Sequence, residues 1–319
     1  MKKYILLLIL FATLFPFQSI TAQEEGKKLT MEDAVHGREF YPKSVYGLKS
    51  MKDGQHYCTR EKDSLNMYEY KTGKYGGTIV SSRDLVPEGD TVPIRLFSFQ
   101  FSKDESKLLI PTETESIYRH SSKSDYYVYD IEGKKLSFLS LNGKQRLADF
   151  SPDATKVAFI RDNNIYVKDL NSGEEKQITA DGEDRKIING TTDWVYEEEF
   201  GFTKAFFWSP DGSKIAFYRF DESDVNEFNM QMWGELYPED YRYKYPKAGE
   251  DNSLVTIHVY NLGTGEVTEM DIGQETDQYI PRIKWTEDAN KLSILRMNRL
   301  QNYLEILLAD AGTGATEVI

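Results

Sequence analysis

Trp208-Ser209-Pro210-Asp211-Gly212-Ser213-Lys214-Ile215-Ala216-Phe217 joins an aromatic residue, a Ser-Pro-Asp-Gly turn and an apolar strand. Proline presets φ for the second position of a turn, aspartate caps it with its side chain, and glycine accepts a positive φ. The unit therefore predicts a hairpin. Phe150-Ser151-Pro152-Asp153-Ala154-Thr155-Lys156-Val157-Ala158-Phe159 repeats it almost residue for residue. Looser copies begin at Phe101 and Trp285, and Lys49-Ser50-Met51-Lys52-Asp53-Gly54 is a degenerate first copy.

Each copy is followed by a second hairpin signal. Asn164-Ile165-Tyr166-Val167-Lys168-Asp169-Leu170 precedes Asn171-Ser172-Gly173, and Thr256-Ile257-His258-Val259-Tyr260 precedes Gly263-Thr264-Gly265. Two hairpins per repeat give four strands, the content of one propeller blade. The turn residues at 50, 102, 151, 209 and 286 are 52, 49, 58 and 77 residues apart. Most of these gaps suit long-bladed propeller repeats of about 50 residues. The longest gap implies an insertion, Asp221 to Ser253, rich in tyrosine, proline and acidic residues and lacking strand alternation. The expected fold is all-β, a β-propeller of four-stranded blades, with five blade units legible and the fifth cut short at Ile319. An unclosed ring leaves a sheet face exposed, so the chain reads as part of a longer protein.

Ahead of the repeats, Lys2 and Lys3 precede an apolar run from Tyr4 to Phe17, with Ala22 at a plausible cleavage point. That pattern predicts a signal peptide over residues 1–22 and an exported product, periplasmic or extracellular. The run is shorter than the roughly 20 residues that span a bilayer, so no stable membrane insertion is expected after cleavage. The remaining residues, 23–319, suffice for one large β domain. A net charge of −13 argues against nucleic acid and against an anionic membrane surface. The single Cys58 allows no internal disulfide and no cysteine-based zinc site. Its place in a strand pattern marks it as a small buried side chain.

The search for catalytic groups is largely negative. No Gly-x-Ser-x-Gly elbow occurs, and His36, His56, His120 and His258 show neither metal-ligand spacing nor a partnered serine. His56 and His258 fall in strand patterns, where structural roles are expected. No phosphate-binding loop is present, and neither a metal nor a cofactor is implied. One segment interrupts the strand pattern: Thr192-Asp193-Trp194-Val195-Tyr196-Glu197-Glu198-Glu199-Phe200. Asp193 suits a helix N-cap, and the glutamates are expected near the positive end of a short helix. The bland reading is a capped helix with a solvated acidic face. The sharper one is a cation site, because adjacent carboxylates repel one another and an ammonium relieves that repulsion.

Asp193-Trp194-Val195-Tyr196-Glu197-Glu198-Glu199 resembles the signature of dipeptidyl peptidase IV, in the prolyl oligopeptidase family. Asn163 to Lys168, Ile188-Asn189-Gly190, Trp208 to Gly212 and Tyr245-Pro246-Lys247-Ala248-Gly249 follow the same order as in that family. The resemblance implies an eight-bladed propeller, about five blades of which lie in this chain, truncated before an α/β-hydrolase domain. It implies a serine-type dipeptidyl aminopeptidase acting after proline or alanine, with the triad beyond Ile319 and no catalytic residue in this chain. By motif position, Glu198 and Glu199 would bind the substrate ammonium. Tyr118-Arg119-His120-Ser121 resembles the segment whose arginine holds the substrate carbonyl, which gives Arg119 that role. Phe200-Gly201-Phe202 departs from the Val-Phe-Ser of mammalian members, a departure at the pocket for the N-terminal side chain. The implied partners are peptides with a free N-terminus and a second copy of the chain, with the insertion as a candidate contact. The competing readings are a non-catalytic periplasmic or surface propeller that binds peptides, and a relative of different cleavage such as a tripeptidyl peptidase.

Overall fold

In the repeated turns the serine hydroxyl ties both ends together. Ser209 Oγ donates to Asp211 Oδ1 at 2.6 Å and accepts from Lys214 N at 2.9 Å. Ser151 and Ser102 make the same bonds, at 2.6 and 2.9 Å and at 2.6 and 3.0 Å. The Ser209 hydroxyl, the Ser213 amide and the Lys214 charge together hold the Asp211 carboxyl down at about 2. In the degenerate first copy Asp53 instead accepts from the amides of Gln55 and His56.

The computed structural model describes residues 28–37, 40–42 and 44–319. The signal peptide expected at 1–22 lies outside the described residues. The chain divides into two units, residues 1–44 and 45–319. Helix α1 (Met31–Val35) belongs to the first and is closed by a capping box between Thr30 and Asp33.

The second unit is a succession of antiparallel sheets. Blade I holds β1 (Tyr46–Ser50), β2 (His56–Glu61), β3 (Ser64–Glu69) and β4 (Tyr75–Val80). Blade II holds β5 (Gln100–Phe101), β6 (Lys107–Ser116), β7 (Ser122–Asp130) and β8 (Lys135–Phe138). Blade III holds β9 (Arg146–Phe150), β10 (Lys156–Arg161), β11 (Asn164–Asp169) and β12 (Glu175–Gln177). In blade IV the first strand is split into β13 (Ile187–Asn189) and β14 (Phe206–Trp208), both paired with β15 (Lys214–Asp221). A separate hairpin, β16 (Glu227–Met232) and β17 (Glu239–Lys244), follows before β18 (Leu254–Asn261) and β19 (Val267–Glu269) complete the blade. Blade V holds β20 (Gln278–Trp285), β21 (Lys291–Asn298), β22 (Leu304–Asp310) and β23 (Thr316–Val318).

Alternation along the second strand of each blade glues neighbouring blades. In β10, Val157 and Phe159 pack with blade II residues Leu109 and Val128. Ala158 and Ile160 face the other way, onto Phe206 and Phe217 of blade IV. In β15, Ile215 and Phe217 join the blade III seam, whereas Ala216, Tyr218 and Phe220 join blade V. These strands read as continuous apolar runs because both faces are buried. Full burial of each such side chain stabilises by roughly 1.5–3 kcal/mol. Cys58 lies fully buried in the seam between blades I and II, and burial pushes its thiol up. The repeated turns of blades I to IV surround one space of about 340 Å³, lined by Lys52, Asp104, Asp153 and Asp211 among others. Four successive turns facing a common space is a radial arrangement.

The insertion departs from its expectation. Residues 221–253 are expected to hold no strands, yet β16 and β17 pair over their full length, from Glu227↔Lys244 to Met232↔Glu239. Every residue of β16 is exposed, as are the first four of β17. The strand signal is in fact present: Phe228, Met230 and Met232 alternate with Glu227, Asn229 and Gln231, and Tyr241 and Tyr243 alternate with Arg242 and Lys244.

Candidate functional site at the split strand

The break in blade IV is made at a glycine. Gly190 adopts φ +74°, and a Cβ there would stand 2.7 Å from both Ile160 Cδ1 and Ile165 Cγ1. Its N–H donates to Tyr218 O, and its carbonyl accepts from Ala205 N. The chain thus leaves the sheet at Gly190, returns at Ala205, and extrudes the residues between them. Replacing Gly190 with alanine combines left-handed strain with a clash in the blade III seam. The expected loss is about 2 kcal/mol of stability, read as a lower chemical-unfolding midpoint. An unchanged midpoint would show that the extrusion does not depend on this position.

The extruded segment carries helix α2 (Trp194–Glu198). Asp193 caps it, accepting from Tyr196 N at 2.9 Å and from Ser253 Oγ at 2.7 Å. Burial drives the Asp193 carboxyl upward. Tyr196 is buried in the seam between blades IV and V, and its hydroxyl accepts from Ile280 N at 2.9 Å. The Trp194 and Tyr245 rings lie 4.2 Å apart between centroids. Arg282 of blade V donates to Phe200 O at 2.8 Å. The helix is therefore held by three separate parts of the blade set.

The three glutamates divide in a way that corrects the sequence expectation. Only Glu197 lies in the first turn; Glu198 ends the helix and Glu199 is its C-cap. The helix dipole favours cations at that end, so helix stability does not explain two carboxylates there. Nor is the acidic face uniformly solvated. Glu197 is 1% exposed and accepts at Oε1 from His120 N and Ser121 N. The Glu198 side chain is 15% exposed and stands 3.5 Å from Arg119 Nη1, itself 74% exposed. Glu199 is exposed, and its carboxylate has no hydrogen-bond or ion-pair partner among the described residues. Arg119 lies in the turn between β6 and β7, so blades II and IV bring two of the three expected site residues together, with the third adjacent. An exposed arginine contributes little to stability through such a pair. What the pair leaves is an acidic end with acceptors available to an incoming cation.

Beside the helix lies a cavity of about 790 Å³, lined by Tyr118, Arg146, Arg161, Asp193, Glu222 and Tyr241 among others. Arg119, Glu198 and Glu199 are not part of its lining. Burial raises Glu222 to about 8, helped by the charge on Asp193 and opposed by Lys244. The sequence reading gave no role to Arg146 or Glu222, since their burial depends on strands far away in the chain. His258 stacks on Phe217, and burial lowers its pKa, in keeping with a structural role.

Radially set four-stranded blades with an acidic helix extruded from one inner strand define a β-propeller domain. Residues 102–319 match the family described as the dipeptidyl peptidase IV N-terminal region. The chain belongs to that family. The crystal structure of Porphyromonas gingivalis dipeptidyl peptidase 4 superposes with a TM-score of 0.83 at 39% identity, covering 91% of this chain and 42% of that one. A Botryotinia fuckeliana protein named "Probable dipeptidyl-aminopeptidase B" is 36% identical over 92% of this chain and 35% of its own length. The Aspergillus flavus "Probable dipeptidyl peptidase 4" is 30% identical over 93% of this chain and 39% of its own. The chain thus spans little more than a third of the length of these curated relatives.

Proposed function

We propose that this chain is the substrate-recognition propeller of a serine dipeptidyl aminopeptidase that releases X-Pro and X-Ala dipeptides from free N-termini. Glu198 and Glu199 bind the substrate ammonium, and Arg119 holds a backbone carbonyl. The nucleophile and its triad belong to the part of the relatives that this chain does not span, so residues 1–319 alone bind peptide without hydrolysing it. The observation that carries the reading is the placing of two carboxylates at the C-terminal end of α2, one beside Arg119 and one without a partner among the described residues. Helix stability offers no reason for that arrangement, whereas an ammonium with three donors satisfies both groups. An internal peptide segment brings no cation to offset the two carboxylates, which disfavours endopeptidase action. The test is the response of cleavage to loss of Glu198 and Glu199 and to blocking of the substrate amine.

The leader pattern read over residues 1–22 supports export of this enzyme, to the periplasm or beyond. The β16–β17 hairpin supplies part of a homodimer contact. Its tip exposes Trp233, Leu236 and Tyr237 at 71%, 85% and 79%, and clustered exposed apolar side chains mark interaction surfaces. Exchanging all three for serine in the full-length enzyme is expected to convert a dimer into a monomer by light scattering. An unchanged mass excludes this surface as the contact.

A further inference from the structure

Glu197 combines two features that a solvated helix residue would not show. It is almost wholly buried, and its Oε1 accepts from His120 N at 2.8 Å and from Ser121 N at 3.0 Å, in another blade. Those amides belong to the turn that carries Arg119. The turn is also closed on itself, with Ile117 N donating to Ser121 O at 2.8 Å and Tyr118 N to Ser121 Oγ at 3.2 Å. The backbone following Arg119 is therefore fastened by the residue immediately preceding Glu198.

Burying this carboxylate is unfavourable in itself. Its Oε2 is buried with no hydrogen-bond partner, and an ionised group without full compensation carries a large desolvation penalty. Partial compensation comes from Arg146 at the start of β9, whose Nε is likewise without a partner. Arg146 and Tyr118 line the same cavity. Burial pushes the Arg146 guanidinium down, and the charge on Glu197 pushes it back up. An apolar residue of similar volume would avoid that penalty but leave the His120 and Ser121 amides without their acceptor.

We infer that Glu197 is a positioning residue of the recognition site: its buried carboxylate fastens the Arg119 turn of blade II to the α2 helix of blade IV, so that Arg119 and Glu198 face the same peptide end. The inference rests on the ammonium-binding reading given above. Without the clamp, the turn and the helix move independently, and the peptide must order both on binding. The penalty falls on affinity rather than on the bond-breaking step.

The experiment is steady-state kinetics on Gly-Pro substrates with the full-length enzyme carrying Glu197→Ala, Glu197→Gln or Glu197→Asp, with Glu198→Ala alongside. Glutamine keeps a carbonyl oxygen for the two amides, whereas aspartate keeps the charge and shortens the reach. Alanine is expected to raise KM by about tenfold or more with kcat within about threefold, as loss of two charge-assisted bonds predicts. Glutamine should restore most of that affinity, and aspartate should fall between. Should the alanine protein not fold, the KM difference between the glutamine and aspartate proteins decides. A fall in kcat and in active fraction at unchanged KM would reveal a merely structural residue and overturn the inference. So would equal damage by glutamine and alanine. If Glu198→Ala is severe while every Glu197 variant keeps the parental KM, the clamp fails and the recognition reading stands. If none of these changes matters, both fall.

Discussion

Replacing Glu198 and Glu199 together with alanine in the full-length enzyme is expected to lower kcat/KM on Gly-Pro substrates by about 10²–10⁴. Each charge-assisted hydrogen bond contributes roughly 1.5–3 kcal/mol, and each 1.4 kcal/mol is tenfold in rate. Glu198 is the half-buried member, already 3.5 Å from Arg119, so its loss also releases the guanidinium. Glu199 is exposed, so its single replacement should be the milder of the two. The parent enzyme should discriminate against N-acetylated substrates by a similar factor, because acetylation removes the cation that both carboxylates await. The double variant should have lost that discrimination, accepting free and acetylated peptides alike at the low rate. The pattern matters more than the loss, since a misfolded enzyme slows on every substrate equally. A double variant within threefold of the parent on free peptides would remove these carboxylates from the binding site.

The features legible in the sequence are those whose physics is local. The Ser-Pro-Asp-Gly turns carry their own hydrogen-bond scheme within a few residues, as Ser209, Asp211 and Lys214 show, so the blades could be counted from the string. Asp193 as N-cap is legible for the same reason. The roles of the glutamates are only half legible. Their adjacency is visible, but which of them is buried depends on amides at His120 and Ser121, at sequence separations of 77 and 76. No pattern within the helix encodes that. The β16–β17 hairpin was legible and missed: Phe228, Met230 and Met232 alternate with polar residues, but within a stretch whose tyrosine, proline and acidic content suggested an irregular insertion. A signal for α1 was present and passed over, since Thr30 and Asp33 stand at capping-box spacing. The split of the inner strand of blade IV was hinted at by Ile188-Asn189-Gly190, yet the need for glycine there comes from Ile160 and Ile165 in the neighbouring blade.

Glu222→Gln should stabilise the propeller at mildly alkaline pH and leave it unchanged in acid. Glu222 follows β15, lines the cavity beside α2 and is 6% exposed. Burial holds its carboxyl at about 8, with Asp193 and Asp184 adding repulsion and Lys244 and Arg185 opposing it. Lys244 is turned partly elsewhere, donating to Val225 O at 2.7 Å and Ser223 O at 3.2 Å. The unfolded chain loses this proton near the ordinary glutamate value, the folded chain only near 8. The contribution to stability is therefore complete below the unfolded pKa and is lost as pH rises through the folded one. At about 1.4 kcal/mol per pKa unit, less what cavity water restores, the loss is on the order of 3 kcal/mol. Glutamine has the shape of the protonated acid and cannot ionise, so it keeps the low-pH contribution at every pH. The variant should melt higher than the parent by roughly 5 °C at pH 8.5 and coincide with it near pH 4.5. A residual slope should persist in the variant, because the buried Asp193 carboxyl is also raised and titrates in the same sense. Parallel melting profiles for the two proteins across this range would mean that Glu222 is already charged and solvated at neutral pH, and that the cavity beside α2 is open to water.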